Sequence, residues 1–203
     1  MFWDKVAGVY DLFGNIYNGK VNREMCRLTA EKISPGDRVL ECACGTGMMT
    51  VQIAPLCASV TATDYAEGML KKTREKCRNL RNVQVMQADI TQLPFADDCY
   101  DVVIAANVIH LLDDPYKALS ELNRVTRPGG LIIIPTYVNK EKTGRGSELS
   151  KVFDKAGADF KRQFTFANYG AFLTAAGYAV EEMYRINGRV PCALAVIRKR
   201  TDK

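Results

Sequence analysis

Apolar and polar positions along the chain change period several times, and each change marks an element. Tyr17, Val21, Met25 and Leu28 recur at spacings of four, four and three, with Lys20, Arg23, Glu24 and Arg27 between them. That stripe predicts an amphipathic helix ending before Pro35. Pro35-Gly36-Asp37 is a turn signal, and Arg38-Val39-Leu40 behind it is too short and too β-branched to open a helix. The pattern there predicts a first strand ending on Glu41, a small-residue turn through Gly47, and a helix over about Met48 to Ala54. Val60-Thr61-Ala62-Thr63 reads as a second strand closing on Asp64. Ala66 to Leu80 follows as a helix with Met69, Leu70, Thr73 and Cys77 inward and Lys71, Lys72, Arg74, Lys76 and Arg78 in solvent. Val83 to Met86 is a third strand closing on Asp89, and Tyr100 to Ala105, after a polar loop with Pro94, is a fourth. Asp114 before Pro115 is an N-cap with proline at the first helical position, for a helix running to about Thr126. Pro128-Gly129-Gly130 then turns the chain into Leu131 to Ile134, a continuous apolar run of the kind buried on both faces of a sheet.

Five strands alternating with helices predict a parallel sheet in a doubly wound α/β fold. The tail departs from that pattern. Val180 to Arg185 and Val190 to Ile197 flank Ile186-Asn187-Gly188-Arg189, an antiparallel hairpin with Asn-Gly as its turn.

A length of 203 residues, 47% of them hydrophobic and 25% charged, fits one globular domain. Within it we expect an N-terminal lid or helix over 1–35, a cofactor-binding core over 36–136, a basic insertion over 137–165, and a helix with the terminal hairpin over 166–203. No apolar run approaches the roughly 20 residues needed to span a bilayer. Met1-Phe2-Trp3-Asp4-Lys5 lacks the pattern of a secretion signal, so a cytoplasmic location is expected. The net charge of +5 is spread out, with no basic stripe interleaved with aromatics, and nucleic acid is not an expected partner. Seven cysteines form no C-x-x-C pair and Cys42-x-Cys44 has no companion pair, so they are expected to be small buried apolar residues, with no metal site. Phe2, Trp3, Tyr10 and Phe13 make the N-terminal stretch either a packing cap or a lid over a site.

The candidate chemistry lies at the strand ends. Glycines between a strand and a helix let a ligand approach the backbone, and open α/β sheets bind ligands outside the carboxyl ends of their strands. Glu41, Asp64 and Asp89 stand at three successive strand ends, and Asp64 follows Gly45 by 19 residues, the spacing of an acid that binds ribose hydroxyls. A dinucleotide would use the glycines and Asp64, but two further acids would repel its pyrophosphate. A ligand with a ribose, an adenine amino group and a cationic amino-acid arm can use all three.

These residues resemble the class I S-adenosylmethionine-dependent methyltransferases, in the small-molecule branch that includes quinone-biosynthesis and phospholipid N-methyltransferases. The carriers are Val39 to Gly47, Thr63 to Leu70, Gln87 to Phe95, Tyr100 to Val103 and Arg127 to Gly130, in that order. One position departs from the family pattern: Ala43 stands where the glycine loop has its first glycine. The resemblance implies a Rossmann-like seven-stranded sheet, mostly parallel with a C-terminal antiparallel hairpin and helices on both faces. It implies S-adenosyl-L-methionine as cofactor, S-adenosyl-L-homocysteine as product, and direct displacement of the methyl group onto a small-molecule or lipid acceptor. Glu41 and the loop at Ala43, Gly45, Thr46 and Gly47 would hold the methionine portion. Asp64 would take the ribose, Tyr65 and Met69 would flank adenine, and Asp89 with the Ile90 N–H would read its edge. Asn107 would lie by the sulfonium, and Tyr10 would close over the cofactor. His110, the single histidine, stands just past the fourth strand as a candidate general base or a structural hydrogen-bonder. Two other readings remain open at this point: a nicotinamide-dependent oxidoreductase, and a non-catalytic cofactor-binding regulator.

Overall fold

The computed structural model describes residues 18–139 and 161–201. In chain order these form helix α1 (18–30), strand β1 (Arg38–Cys42), a short helix α2 (Thr50–Ile53) extended by a 3-10 turn, β2 (Ser59–Asp64), α3 (Glu67–Cys77), β3 (Val83–Gln87) and β4 (Tyr100–Ala105). There follow a 3-10 turn at Ile109–Leu111, α4 (Pro115–Val125), β5 (Thr126–Tyr137), α5 (Phe166–Ala175), β6 (Val180–Ile186) and β7 (Cys192–Arg198). The seven strands make one sheet in the order β3-β2-β1-β4-β5-β7-β6. β1 to β5 pair in parallel, and β7 runs antiparallel between β5 and β6. The order reverses beside β1, so the carboxyl ends of β1 and β4 diverge into a crevice.

The apolar runs of the central strands split cleanly between two cores, as the alternation of side chains along a strand requires. Leu40, Val103, Ile132, Ile134, Ala193 and Ala195 face the core under α4 and α5, while Val39, Val102, Ile104, Ile133, Leu194 and Val196 face the core under α1, α2 and α3. The inward set expected for α3 is its buried set: Met69, Leu70, Thr73 and Cys77. α3 is nevertheless shorter than its pattern suggested, and the helix after Gly47 is only a short turn of α-helix. Asp114 caps α4 as expected, accepting the Lys117 N–H at 3.0 Å.

Two elements differ from the sequence expectation for identifiable reasons. Pro128-Gly129-Gly130 is not a turn ahead of β5 but an irregularity inside it: Tyr100 pairs with Thr126, and the next partners are Val102 and Leu131. The displaced residues find partners on the other side, where Gly129 N–H donates to the Lys199 carbonyl and Lys199 N–H to that of Gly130, both at 2.9 Å. The hairpin joining β6 and β7 is also not closed by a two-residue Asn-Gly turn, since the last pair is Ile186 with Cys192. Gly188 serves close approach instead. A Cβ there would fall 2.2 Å from Val21 Cγ2 of α1.

α1 is fastened at that place. Asn18 donates through Nδ2 to the Val190 carbonyl at 2.9 Å and accepts the Val190 N–H at 3.3 Å. Further along, Lys32 Nζ reaches both carboxylate oxygens of Glu182 at 2.7 Å. Gly188→Ala is therefore expected to lower stability by about 1–3 kcal/mol, the usual range for overpacking. A urea titration should show a lower midpoint at unchanged slope. Combining it with Val21→Ala should return part of the loss, and strict additivity of the two changes would show that they do not meet.

Candidate functional site

The loop leaving β1 changes backbone hand at every second residue, with φ of 52° at Ala43, 57° at Gly45 and 79° at Gly47. Its shape is held from both flanks. Cys44 N–H donates to the Thr63 carbonyl at 2.9 Å, Gly47 N–H to that of Cys44 at 3.0 Å, and Gly45 N–H to Asp64 Oδ2 at 2.9 Å. From α3, Thr73 Oγ1 donates to the Gly45 carbonyl at 2.8 Å and Lys76 Nζ to Thr46 Oγ1 at 3.2 Å. A Cβ at Gly47 would stand 2.9 Å from Thr73 Cγ2, so both its φ and this contact exclude a side chain. Beside Gly45 a Cβ would meet none of the described residues within 4 Å, so among them the loop is open on that side. Ala43 takes the left-handed conformation in spite of its methyl group, at a strain of roughly 1–2 kcal/mol.

With three of its amides engaged inside the protein, this loop is not built as a row of donors for a phosphate. Its charge is an acid. Glu41, 2% exposed at the end of central strand β1, accepts Thr50 Oγ1 at 2.6 Å. Burial pushes its carboxyl up to about 8, the Thr50 hydroxyl opposes the rise, and nearby Asp64 adds to it. A cationic ligand group in the crevice would restore the carboxylate. Asp64 also accepts the Ala66 N–H on Oδ1 at 2.9 Å, so each of its oxygens holds one loop.

Asp89 lies just beyond β3 rather than at its last residue. Its Oδ1 accepts the Thr91 N–H at 2.8 Å and the Thr91 hydroxyl at 2.7 Å. Its Oδ2 accepts from none of the described residues. Ile90 is buried against the α4 core, Met69 is buried, and Tyr65 is 56% exposed at the rim. Asn107 has φ 54° and donates its N–H to the Pro135 carbonyl at 2.8 Å. Its side chain is engaged within the protein, accepting the Tyr137 N–H at 3.1 Å and approaching Met25 Sδ at 3.7 Å, so it joins β4, β5 and α1. His110 is 3% exposed, and burial pushes its imidazole down to about 4, which leaves it neutral and weakly basic at pH 7. Tyr10 lies outside the described residues. The thiols of Cys42 and Cys44 are buried and pushed up by that burial, Cys42 to about 12, so they pack as apolar groups.

The structure thus brings Glu41, Ala43, Gly45, Thr46, Gly47 and Asp64 into one cradle, with Asp89 and Ile90 on the neighbouring loop. Sequence reasoning missed Thr50, Thr73 and the Ala66 N–H. Thr73 was recognised as an inward position, but its hydroxyl's reach to the Gly45 carbonyl depends on how α3 crosses the loop.

Fold and cradle define a doubly wound α/β protein with a buried acid and a left-handed loop at the carboxyl end of β1. A family model described as a methyltransferase domain matches residues 40–134. The chain is 35% identical to the ubiquinone/menaquinone biosynthesis C-methyltransferase UbiE of Teredinibacter turnerae, over 73% of this chain and 61% of that protein. It therefore spans about three fifths of that relative's length. It is 30% identical to the protein of the same name from Bdellovibrio bacteriovorus, over 94% of this chain and 79% of the other. Among solved structures, a SAM-dependent methyltransferase from Aquifex aeolicus shares the fold with a TM-score of 0.69 at 23% identity, over 87% of this chain and 89% of that one. The chain belongs to the class I S-adenosylmethionine-dependent methyltransferases, in the family of these UbiE relatives. Neither the oxidoreductase nor the regulator reading finds support in these relatives.

Two measurements follow from the cradle. Ala43→Gly should relieve the left-handed strain and raise stability by about 1 kcal/mol, less the entropy that glycine loses on folding. A lower unfolding midpoint would show that the methyl group is accommodated at no strain. Glu41 holds its proton more tightly folded than unfolded, so its contribution is greatest below 4.5, is lost as pH rises to about 8, and is constant beyond. A difference of that size corresponds to a loss on the order of 4–5 kcal/mol. Glu41→Gln should gain on the wild type across that window in chemical denaturation, and a constant difference at every pH would sink the assignment.

Proposed function

We propose that this protein binds S-adenosylmethionine at the carboxyl ends of β1, β2 and β3 and transfers its methyl group to a carbon of a quinone-type small molecule. The observation that carries this reading is the buried Glu41 carboxyl beside an open left-handed loop, a place that disfavours a phosphate and suits a cation. The cofactor, when bound, supplies an electrophilic methyl group on a sulfonium. The protein's own residues bind and orient. Glu41 ionises against the positive charge of the amino-acid arm, releasing its proton to solvent. Asp64, placed at the end of β2 by its bonds to the Gly45 and Ala66 N–H groups, takes the ribose hydroxyls, and Asp89 offers Oδ2 to the adenine amino group. Alignment of the acceptor carbon with the methyl group can account for much of the rate.

His110 fits a positional role better than that of a base. Its carbonyl accepts the Arg162 N–H at 3.1 Å, and Arg162 Nη1 donates to the Leu112 carbonyl at 2.7 Å, which ties down the segment after β4. The quinone nature of the acceptor follows from the activity for which the relatives are named. The loops past β4 and β5 are where such folds vary their acceptor sites.

The test is calorimetry with S-adenosylmethionine and with NAD, followed by transfer of an isotope-labelled methyl group to a short-chain demethylmenaquinol. Binding of the first ligand alone and label on a ring carbon are expected. Binding of NAD at the same site, or label reaching only nitrogen, oxygen or sulfur acceptors, would overturn the proposal.

A further inference from the structure

Between β3 and β4 the chain must pass from one edge of the sheet to its middle, and residues 88–99 do so without a helix. Ile90 and Leu93 are buried along that path, so backbone groups there need partners from elsewhere. α4 supplies them from two side chains. Glu121 Oε2 accepts the Leu93 N–H at 2.7 Å. Arg124 donates through Nη2 to the Leu93 carbonyl at 3.0 Å, and through Nη1 to the Phe95 carbonyl at 2.7 Å and to Asp97 Oδ1 at 2.8 Å. The two side chains also lock each other, Arg124 Nε to Glu121 Oε1 at 2.7 Å and Nη2 to Oε2 at 2.8 Å. The paired guanidinium holds the Glu121 carboxyl below its usual range.

These bonds do not join helix to strand. They converge on the loop that leaves the Asp89 turn. That turn closes on itself, with the Gln92 N–H on the Asp89 carbonyl at 3.0 Å and Thr91 on Oδ1. The next residue, Leu93, is gripped on both its N–H and its carbonyl. The turn's position relative to the crevice is thus set from α4. We infer that Glu121 and Arg124 are positioning residues that hold the Asp89–Ile90 edge in register for the adenine base, and so set how strongly the protein distinguishes that base. The inference rests on the proposed cofactor reading, in which the Asp89 turn receives adenine.

The test uses the full chain with Arg124→Met and the milder Glu121→Gln, which keeps one acceptor oxygen. Calorimetry compares S-adenosylhomocysteine with its analogue bearing an oxo group in place of the adenine amino group, and hydrogen exchange follows the amides of residues 91–95. The wild type should prefer the amino ligand by about tenfold or more, a difference of one good hydrogen bond. In Arg124→Met that preference should collapse toward one while exchange at Leu93 quickens by about tenfold, with Glu121→Gln moving the same way by less. Variants that exchange faster yet keep the wild-type preference would overturn the inference, because the pair would then be a structural prop only. So would an unchanged exchange rate at Leu93 in both variants. A wild type that binds neither ligand would overturn the cofactor reading itself, and is distinguished from those outcomes by being seen before any substitution.

Discussion

One carboxylate holds the two loops that make the crevice. Asp64, at the end of β2, accepts the Gly45 N–H on one oxygen and the Ala66 N–H on the other. β1 and β2 are parallel neighbours, so their loops leave the sheet at the same edge and can share a partner. Fixing Gly45 carries the chain into the left-handed turn that sets Gly47 against Thr73, and Thr73 answers with a bond to the Gly45 carbonyl. Loop shape and the approach of α3 are thus tied to that side chain, together with the Cys44 bond to Thr63. The same arrangement sets a negative charge beside the buried Glu41 and raises its proton affinity. Two acids held so close cost the fold stability, which is the expected compromise where a site is shaped for a ligand rather than for stability.

Most of the sheet was legible because its signals are local. Strands β1, β2 and β4 are short β-branched runs bounded by turn residues, and α3 shows its inward face in the spacing of Met69, Leu70, Thr73 and Cys77. Features made by residues far apart were not. The interruption in β5 depends on Lys199 meeting Gly129 and Gly130. Gly188 reads as half of an Asn-Gly turn until α1 is seen lying against it. Of the candidate site, the acids and the glycine loop were readable from strand ends and spacing. The engagement of Asn107 with Tyr137 and Met25 was not, because an asparagine after a strand carries no mark of whether its amide faces ligand or protein.

That asparagine belongs to a polar chain running along one side of the crevice. Tyr137, whose N–H it accepts, donates its hydroxyl to Asn22 of α1 at 2.9 Å. Together with Asn18 on Val190, these contacts join the helix before β1 to the ends of β4 and β5 and to the loop before β7. Half-buried hydrogen bonds of this kind contribute modest free energy each, but they specify a single orientation.

The clasp between α1 and the last hairpin has a consequence for the order of assembly. Asn18 and Val190 are 172 positions apart, so α1 emerges from the ribosome long before its berth exists. The parallel strands β1 to β4 can associate first, but β5 lacks its antiparallel neighbour until β7 arrives, and the apolar face of α1, with Val21, Met25 and Leu28, stays without its final cover until then. Contacts of such separation slow folding and leave sticky surface in the nascent chain. The insertion of β7 between β5 and β6 is thus the step that converts a collection of parallel units into a closed molecule, with α1 seated last.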